Sequence, residues 1–159
     1  LPIAREAARL TLVRLLGFDE KLFGPDHPEV AKTLHDLGAA EIQLERLDDA
    51  SQHLQRALRI AMRAYGERHP MVSMIYVTSA HLALMQQHGA DAKKLYSSAR
   101  DALTGVLPED APAFIAIERR QGEQARQGEQ EHQTSQNGVG PAAPDQSVER
   151  GHHARKNPW

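Results

Sequence analysis

Nine histidines and no cysteine are the first features of this 159-residue chain that bear on chemistry. The absence of cysteine removes disulfides and thiolate metal ligands, and it leaves the redox compartment open. His81 and His88 stand seven residues apart in a stretch of helical periodicity, so they share a face. A zinc site asks for three or four ligands at tight spacing, and neither a third histidine nor a carboxylate accompanies this pair. No metal and no cofactor are therefore expected. The closing "GHHARKNPW" reads as a solvated tail. Ser97 and Ser98 in "LYSSAR" fall within a helical pattern, without the motif context of a nucleophilic site. No glycine-rich phosphate loop follows a strand. No catalytic residue is assigned. His27 and His69 differ from the other histidines because each sits directly before a proline in a phrase that returns: "LFGPDHPEVAKTL" at 22–34 and "AYGERHPMVSMIY" at 64–76. Their expected role is at helix starts.

The bulk composition narrows what these elements can serve. Charged residues make up 25% of the chain and nearly balance, leaving a formal charge of −2. A general binder of nucleic acid or anionic membrane carries a strong basic excess, so neither partner is expected. No apolar run approaches the roughly 20 residues that span a bilayer. Cytoplasmic residence is the expectation. The opening "LPIAREAARL" lacks both an initiating Met and the layout of a secretory signal, and it reads as part of something longer. Near residue 120 the composition changes. Residues 121–159 contain no Leu, Ile, Met, Phe or Tyr, and "RQGEQ" occurs at 120–124 and again at 126–130. So little apolar surface cannot offset roughly 1–2 kcal/mol per residue of backbone ordering. The chain thus divides into a helical repeat domain over 1–125 and a low-complexity, disordered tail over 126–159, with 121–130 as a fraying helical extension.

The repeat has a period of 42 residues. Gly24, His27, Pro28 and Val30 recur as Gly66, His69, Pro70 and Val72. Asp49, Ala50 and Ala57 recur as Asp91, Ala92 and Ala99, while Ala50, Leu54, Arg56 and Leu58 step back to Ala8, Leu12, Arg14 and Leu16. Asp26 and Pro28 reappear two steps on as Asp110 and Pro112. Within each unit the apolar positions are helical: Val30, Leu34, Leu37 and Gly38, then Ala50, Leu54, Ala57, Leu58 and Ala61. "LERLDDA" and "QQHGADA" supply turns between them, with Gly89 read as a helix terminator. The units are helix hairpins, 28–65 (28–45 with 48–65) and 70–104 (70–87 with 91–104). Residues 5–22 are the second helix of an incomplete repeat, and 112–125 form a terminal helix. Pro28 lies in the first turn, where its missing N–H costs nothing. Asp26 is the expected cap, with Glu29 completing a box-like spacing. Arg68 stands at the equivalent place in the second unit, so His69 or water must cap there. That start should be weaker by about 1 kcal/mol.

At these residues the chain resembles the tetratricopeptide repeat family, and its period and "G-x-x-H-P-x-V" opening are similar to the kinesin light chain variety. The resemblance covers about residues 5–120. It implies an all-α fold, an α-solenoid of stacked antiparallel helix hairpins. It also implies close approach of helices where Gly38 and Ala80 meet Ala50 with Ala57 and Ala92 with Ala99, Leu54 and Tyr96 filling the bulky site between. Two departures stand out. The paired asparagines of kinesin light chains are replaced by His35–Asp36 and Val77–Thr78, and a family aromatic is replaced by Glu41 and Ala83. The second departure predicts looser packing between helices.

Stacked hairpins turn relative to one another and form a concave surface lined by the first helices. The resemblance implies a non-catalytic interaction module, with a protein or peptide partner lying in that surface. By register, Lys32, His35, Ala39 and Ile42 face it, followed by Met74, Val77, His81 and Leu84, then Ala116 and Arg119. An apolar middle with histidines and basic edges suits a segment with apolar anchors and one or two acidic groups. The edge containing Leu10, Leu12, Leu15 and Leu16 is a candidate for self-association. The alternative reading is a regulatory or sensor segment of a larger signalling enzyme, an ATPase or kinase, with catalysis encoded upstream.

Overall fold

The computed structural model describes residues 1–137. Its elements follow from the sequence in order: α1 (Pro2–Phe23), α2 (Pro28–Gln43), α3 (Leu47–Tyr65), α4 (Pro70–Met85), α5 (Gly89–Asp101) and α6 (Pro112–Asn137). α2 with α3 and α4 with α5 form the two hairpins. α1 lies on α2, α3 on α4 and α5 on α6, so the stack is an all-α solenoid. No described helix is long and apolar enough to cross a membrane.

The hairpins close where small residues face bulky ones. Ala50, Ala57, Ala80, Ala92 and Ala99 are wholly buried, as are Leu54 and Tyr96 to within a few per cent. At Gly38 an added Cβ would come within 2.7 Å of Leu54 Cγ and 3.5 Å of the Ala50 carbonyl oxygen. Glycine therefore permits this approach, and in the next hairpin Ala80 takes the same position opposite Tyr96. One cluster unites α2, α3 and part of α4 through Val30, Leu34, Leu54, Ile60, Val72 and Ile75. A second unites the rest of α4 with α5 and α6 through Tyr96, Leu103, Phe114 and Ile117.

The helix starts correct the expected capping. His27, rather than Asp26, caps α2: its Nδ1 accepts the Glu29 N–H at 3.2 Å. His69 caps α4 by the same bond to the Met71 N–H at 3.0 Å. Both starts are therefore capped alike, and His69 serves where Arg68 stands in place of the Asp, as expected. Each imidazole also stacks on an aromatic ring four residues earlier, His27 on Phe23 at 4.7 Å and His69 on Tyr65 at 4.1 Å between centroids. Between ring and imidazole, Gly24 and Gly66 adopt φ of 93° and 81° with extended ψ, a region that a Cβ disfavours. Asp26 instead accepts from Arg63 at 3.3 Å.

Three further expectations change. Gly89 begins α5 rather than ending α4, because the chain reverses earlier, at Gln87. Gln87 and its counterpart Glu45 carry the left-handed conformation, with φ of 64° and 58°. Glu41 does not loosen the helix packing: it is 1% exposed, and its Oε2 accepts from His53 Nδ1 at 2.7 Å. The corresponding pair in the next hairpin is Ala83 with Leu95, both within the apolar cluster. A similar substitution separates the inter-hairpin contacts. Thr33 donates to buried Asp19 at 2.6 Å between α1 and α2, whereas the equivalent positions are Ala61 with Ile75 and Leu103 with Ile117. α6 continues to Asn137, through both copies of "RQGEQ". Gln, Glu and Arg are good helix formers, and that local preference carries the helix past the last apolar residues. The remainder of the expected tail lies outside the described residues.

Candidate functional site

The first helices α2 and α4 stand side by side, and α6 rises opposite them from its seat on α5. Between them lies a cleft of about 660 Å³. α2 contributes Ala39, Ile42 and Gln43, and α4 contributes Val77, Thr78, His81, Leu84 and Met85. α6 supplies Arg120, Glu123, Gln124 and Gln127, and Tyr96 of α5 reaches the cleft from beneath. The lining keeps the 42-residue step: Ala39, His81 and Glu123 form one row, and Gln43, Met85 and Gln127 another.

Of the residues expected to face this surface, Ala39, Ile42, Val77, His81 and Leu84 come together in the cleft. Lys32 and Met74 are exposed one or two turns nearer the starts of their helices, outside the lining. His35 is buried and works behind the wall. His35 Nε2 and Thr78 Oγ1 are hydrogen-bonded at 2.9 Å, which ties α2 to α4, and Thr78 Oγ1 also donates to the Met74 carbonyl. Its Nδ1 lies 3.1 Å from Asp36. On α6, Ala116 and Arg119 are exposed outside the lining, and neighbouring Arg120 enters it. α6 packs on α5 through Phe114 and Ile117. Gln124 Nε2 holds that wall to the Gly89 carbonyl at 2.5 Å, and Arg100 reaches Glu118 at 3.5 Å on the other side.

The polar groups of the cleft are largely unspent. Among the described residues His81, Arg120 and Glu123 have no hydrogen-bond or ion-pair partner, and all three are exposed. Tyr96 is 2% exposed, and its hydroxyl also lacks a hydrogen-bond partner. Burial pushes its phenol above the ordinary tyrosine value; Arg120 pulls it down and Glu123 raises it, the arginine having the larger influence of the two. Tyr96 occupies a packing position in the repeat pattern, which is why register reasoning did not place it in the cleft. Its type was the available signal, since the same position is Leu12 and Leu54 in the other units. No three His, Cys, Asp or Glu residues among those described are grouped to hold a metal ion. Arranged in this way, the cleft combines apolar side chains with neutral polar groups, one guanidinium, Arg120, and one carboxylate, Glu123.

The α1 edge is partly covered. Leu10 and Leu15 are exposed, whereas Leu16 packs against the first cluster. Glu6 bonds Arg9 at 2.9 Å, and that hydrogen bond, aided by Arg46, holds its carboxyl below the usual glutamate range.

Comparison with known proteins agrees with this architecture. The chain is 29% identical over 91 residues to a clustered mitochondria protein homolog of Candida albicans, a match covering 57% of this chain and 7% of that protein. It thus spans a small fraction of the length of that relative. Its fold is similar to the crystal structure of BtubC (BKLC) from P. vanneervenii, with a TM-score of 0.64 at 17% identity, covering 98% of this chain and 65% of the other. The tetratricopeptide repeat model matches residues 11–62 and 30–104, spanning both hairpins and most of α1. The chain belongs to the tetratricopeptide repeat family.

Proposed function

We propose that this chain is a non-catalytic protein-interaction module whose concave cleft binds a peptide or partner helix. Tetratricopeptide repeats generally mediate protein–protein interaction. The observation that carries the proposal for this chain is the cleft itself. Ala39, Ile42, Val77 and Leu84 provide an apolar strip, and unpaired His81, Arg120 and Glu123 stand around it. Apolar burial supplies the affinity of such a contact, and rim charges select the partner and the direction of docking. Lys32, Met74 and Arg119 extend the surface beyond the cleft, while His35 keeps Thr78 and the α2–α4 wall in place.

The test is a selection of random decapeptides displayed on phage against the purified chain, followed by fluorescence anisotropy with the enriched sequences. Ala39→Arg places a long cation across the cleft on a half-buried helix position, and it should weaken binding by at least tenfold, about 1.4 kcal/mol. Circular dichroism checks that the variant stays helical. Unchanged affinity in a folded Ala39→Arg chain would place the binding surface elsewhere.

A further inference from the structure

We infer that a second cavity, where α3, α4 and α5 meet, is a receptor for one arginine side chain of a partner segment, because the same place in the preceding repeat is filled by the chain's own Arg56. This cavity encloses about 480 Å³ and shares no residue with the concave cleft. Three residues of its lining, Met62, Glu67 and Ser98, stand one 42-residue step beyond Glu20, Pro25 and Arg56. In the earlier unit Arg56 reaches across from α3. Its Nη1 donates to Glu20 Oε1 at 2.6 Å and its Nη2 to the Pro25 carbonyl at 2.9 Å. Ser98 is too short to cross the equivalent space. The Glu67 carbonyl, at the Pro25 position, receives no hydrogen bond among the described residues.

The groups around the vacancy suit a guanidinium. The exposed carboxylates of Glu67 and Asp101 face it, and neither has an ion-pair partner among the described residues. Ser98 and Thr104 donate their hydroxyl protons to the Lys94 and Arg100 carbonyls at 3.2 and 3.1 Å, which leaves both oxygens as acceptors. Half-buried Met62 and Tyr76 give the aliphatic stem an apolar wall. Acceptors spread over a carbonyl, hydroxyls and carboxylates match the forked donors of arginine better than the point charge of lysine. Arg68, at the Asp26 position, is the one cation in the lining, and the two carboxylates outweigh it. Since Arg56 already occupies the earlier unit's place, the partner needs a single arginine rather than a basic run.

The probe is N-acetyl-arginine methylamide, titrated into the nitrogen-labelled chain and followed by amide chemical shifts, with the neutral citrulline compound as control. The amides of Glu67, Arg68, Ser98 and Thr104 should shift and saturate, with affinity roughly tenfold above that for citrulline, as hydrogen bonds between charged groups imply. Ser98→Arg restores the side chain of the earlier unit and should abolish the response. Ser97→Arg adds the same charge outside the lining and should leave it intact. Glu67→Gln combined with Asp101→Asn, both at exposed positions, should erase the preference for arginine, and Arg68→Gln should strengthen it. Circular dichroism checks that each variant stays helical. The receptor is overturned by equal responses to the two compounds, by shifts centred elsewhere, or by a folded Ser98→Arg chain that responds like the native one. Ala39→Arg should leave the titration unchanged, so this site is tested apart from the cleft.

Discussion

Gly38→Ala sets two opposing effects against each other at one residue. In a helix interior alanine is favoured over glycine by roughly 0.5–1 kcal/mol, through the unfolded chain's lost freedom. Against this, the new methyl would lie 2.7 Å from Leu54 Cγ and 3.0 Å from its Cδ2. Leu54 is 1% exposed and held on all sides, so its branch point cannot swing into solvent to make room. Overpacking of this kind costs about 1–3 kcal/mol. The net expectation is destabilisation by about 1 kcal/mol, a fall in melting temperature of about 3 °C for a chain of this size. Thermal and urea unfolding followed by circular dichroism would read it. A double-mutant cycle isolates the contact. Leu54→Ala in the native background should cost about 2–5 kcal/mol, and in the Gly38→Ala background at least about 1 kcal/mol less, because there it also removes the clash. A Gly38→Ala chain more stable than the native one, or strict additivity in the cycle, would refute the close-approach argument.

Three other outcomes follow from the structure. His27→Ala and His69→Ala should each lower stability by about 1 kcal/mol and by similar amounts, since both remove an Nδ1 acceptor; urea midpoints compare them, and a loss confined to one would show that the caps are not equivalent. Ala92→Leu should cost about 1–3 kcal/mol in the same assay, because Ala92 is fully buried where the second hairpin closes on Ala80. Glu6 has a folded-state pKa below its unfolded value, so the unfolded chain binds the extra proton and the stabilisation is present above the usual glutamate range. It is lost as pH falls through the folded value. Native and Glu6→Gln chains should therefore differ slightly in melting temperature at neutral pH and converge in acid, with the native chain never the less stable at neutrality.

The repeat was legible because it is written in residue types that few other positions require. Close helix contact at Gly38, Ala50 and Ala57 admits only small side chains, and a proline in a first turn marks a helix start with little ambiguity. Those constraints recur every 42 residues, so their register could be read without coordinates. The caps were harder. Asp26 and His27 are adjacent and both can accept a backbone N–H; in the structure His27 caps while stacked on Phe23, and Asp26 turns to Arg63. That stacking was itself encoded, since Phe23 and Tyr65 keep the same step, but an aromatic at a helix end has many other uses. Glu41 and Tyr96 were misplaced or overlooked for one reason: each was read through the position it occupies rather than through its partner. The reach of α6 and the entry of Arg120 depend on a rotation that the period alone does not set.

The polar pairs Asp19–Thr33 and Glu41–His53 give the array a fixed order of assembly. A chain with identical interfaces could stack one hairpin too far along and lose little. Here a slip of one unit would set the Asp19 carboxylate against Ile75, or leave Glu41 beside Leu95 with no imidazole to receive it. A carboxylate sealed in without its partner is costly enough to reject such an arrangement during folding or between two molecules. Each junction thus carries its own address, and the hairpins are not interchangeable parts.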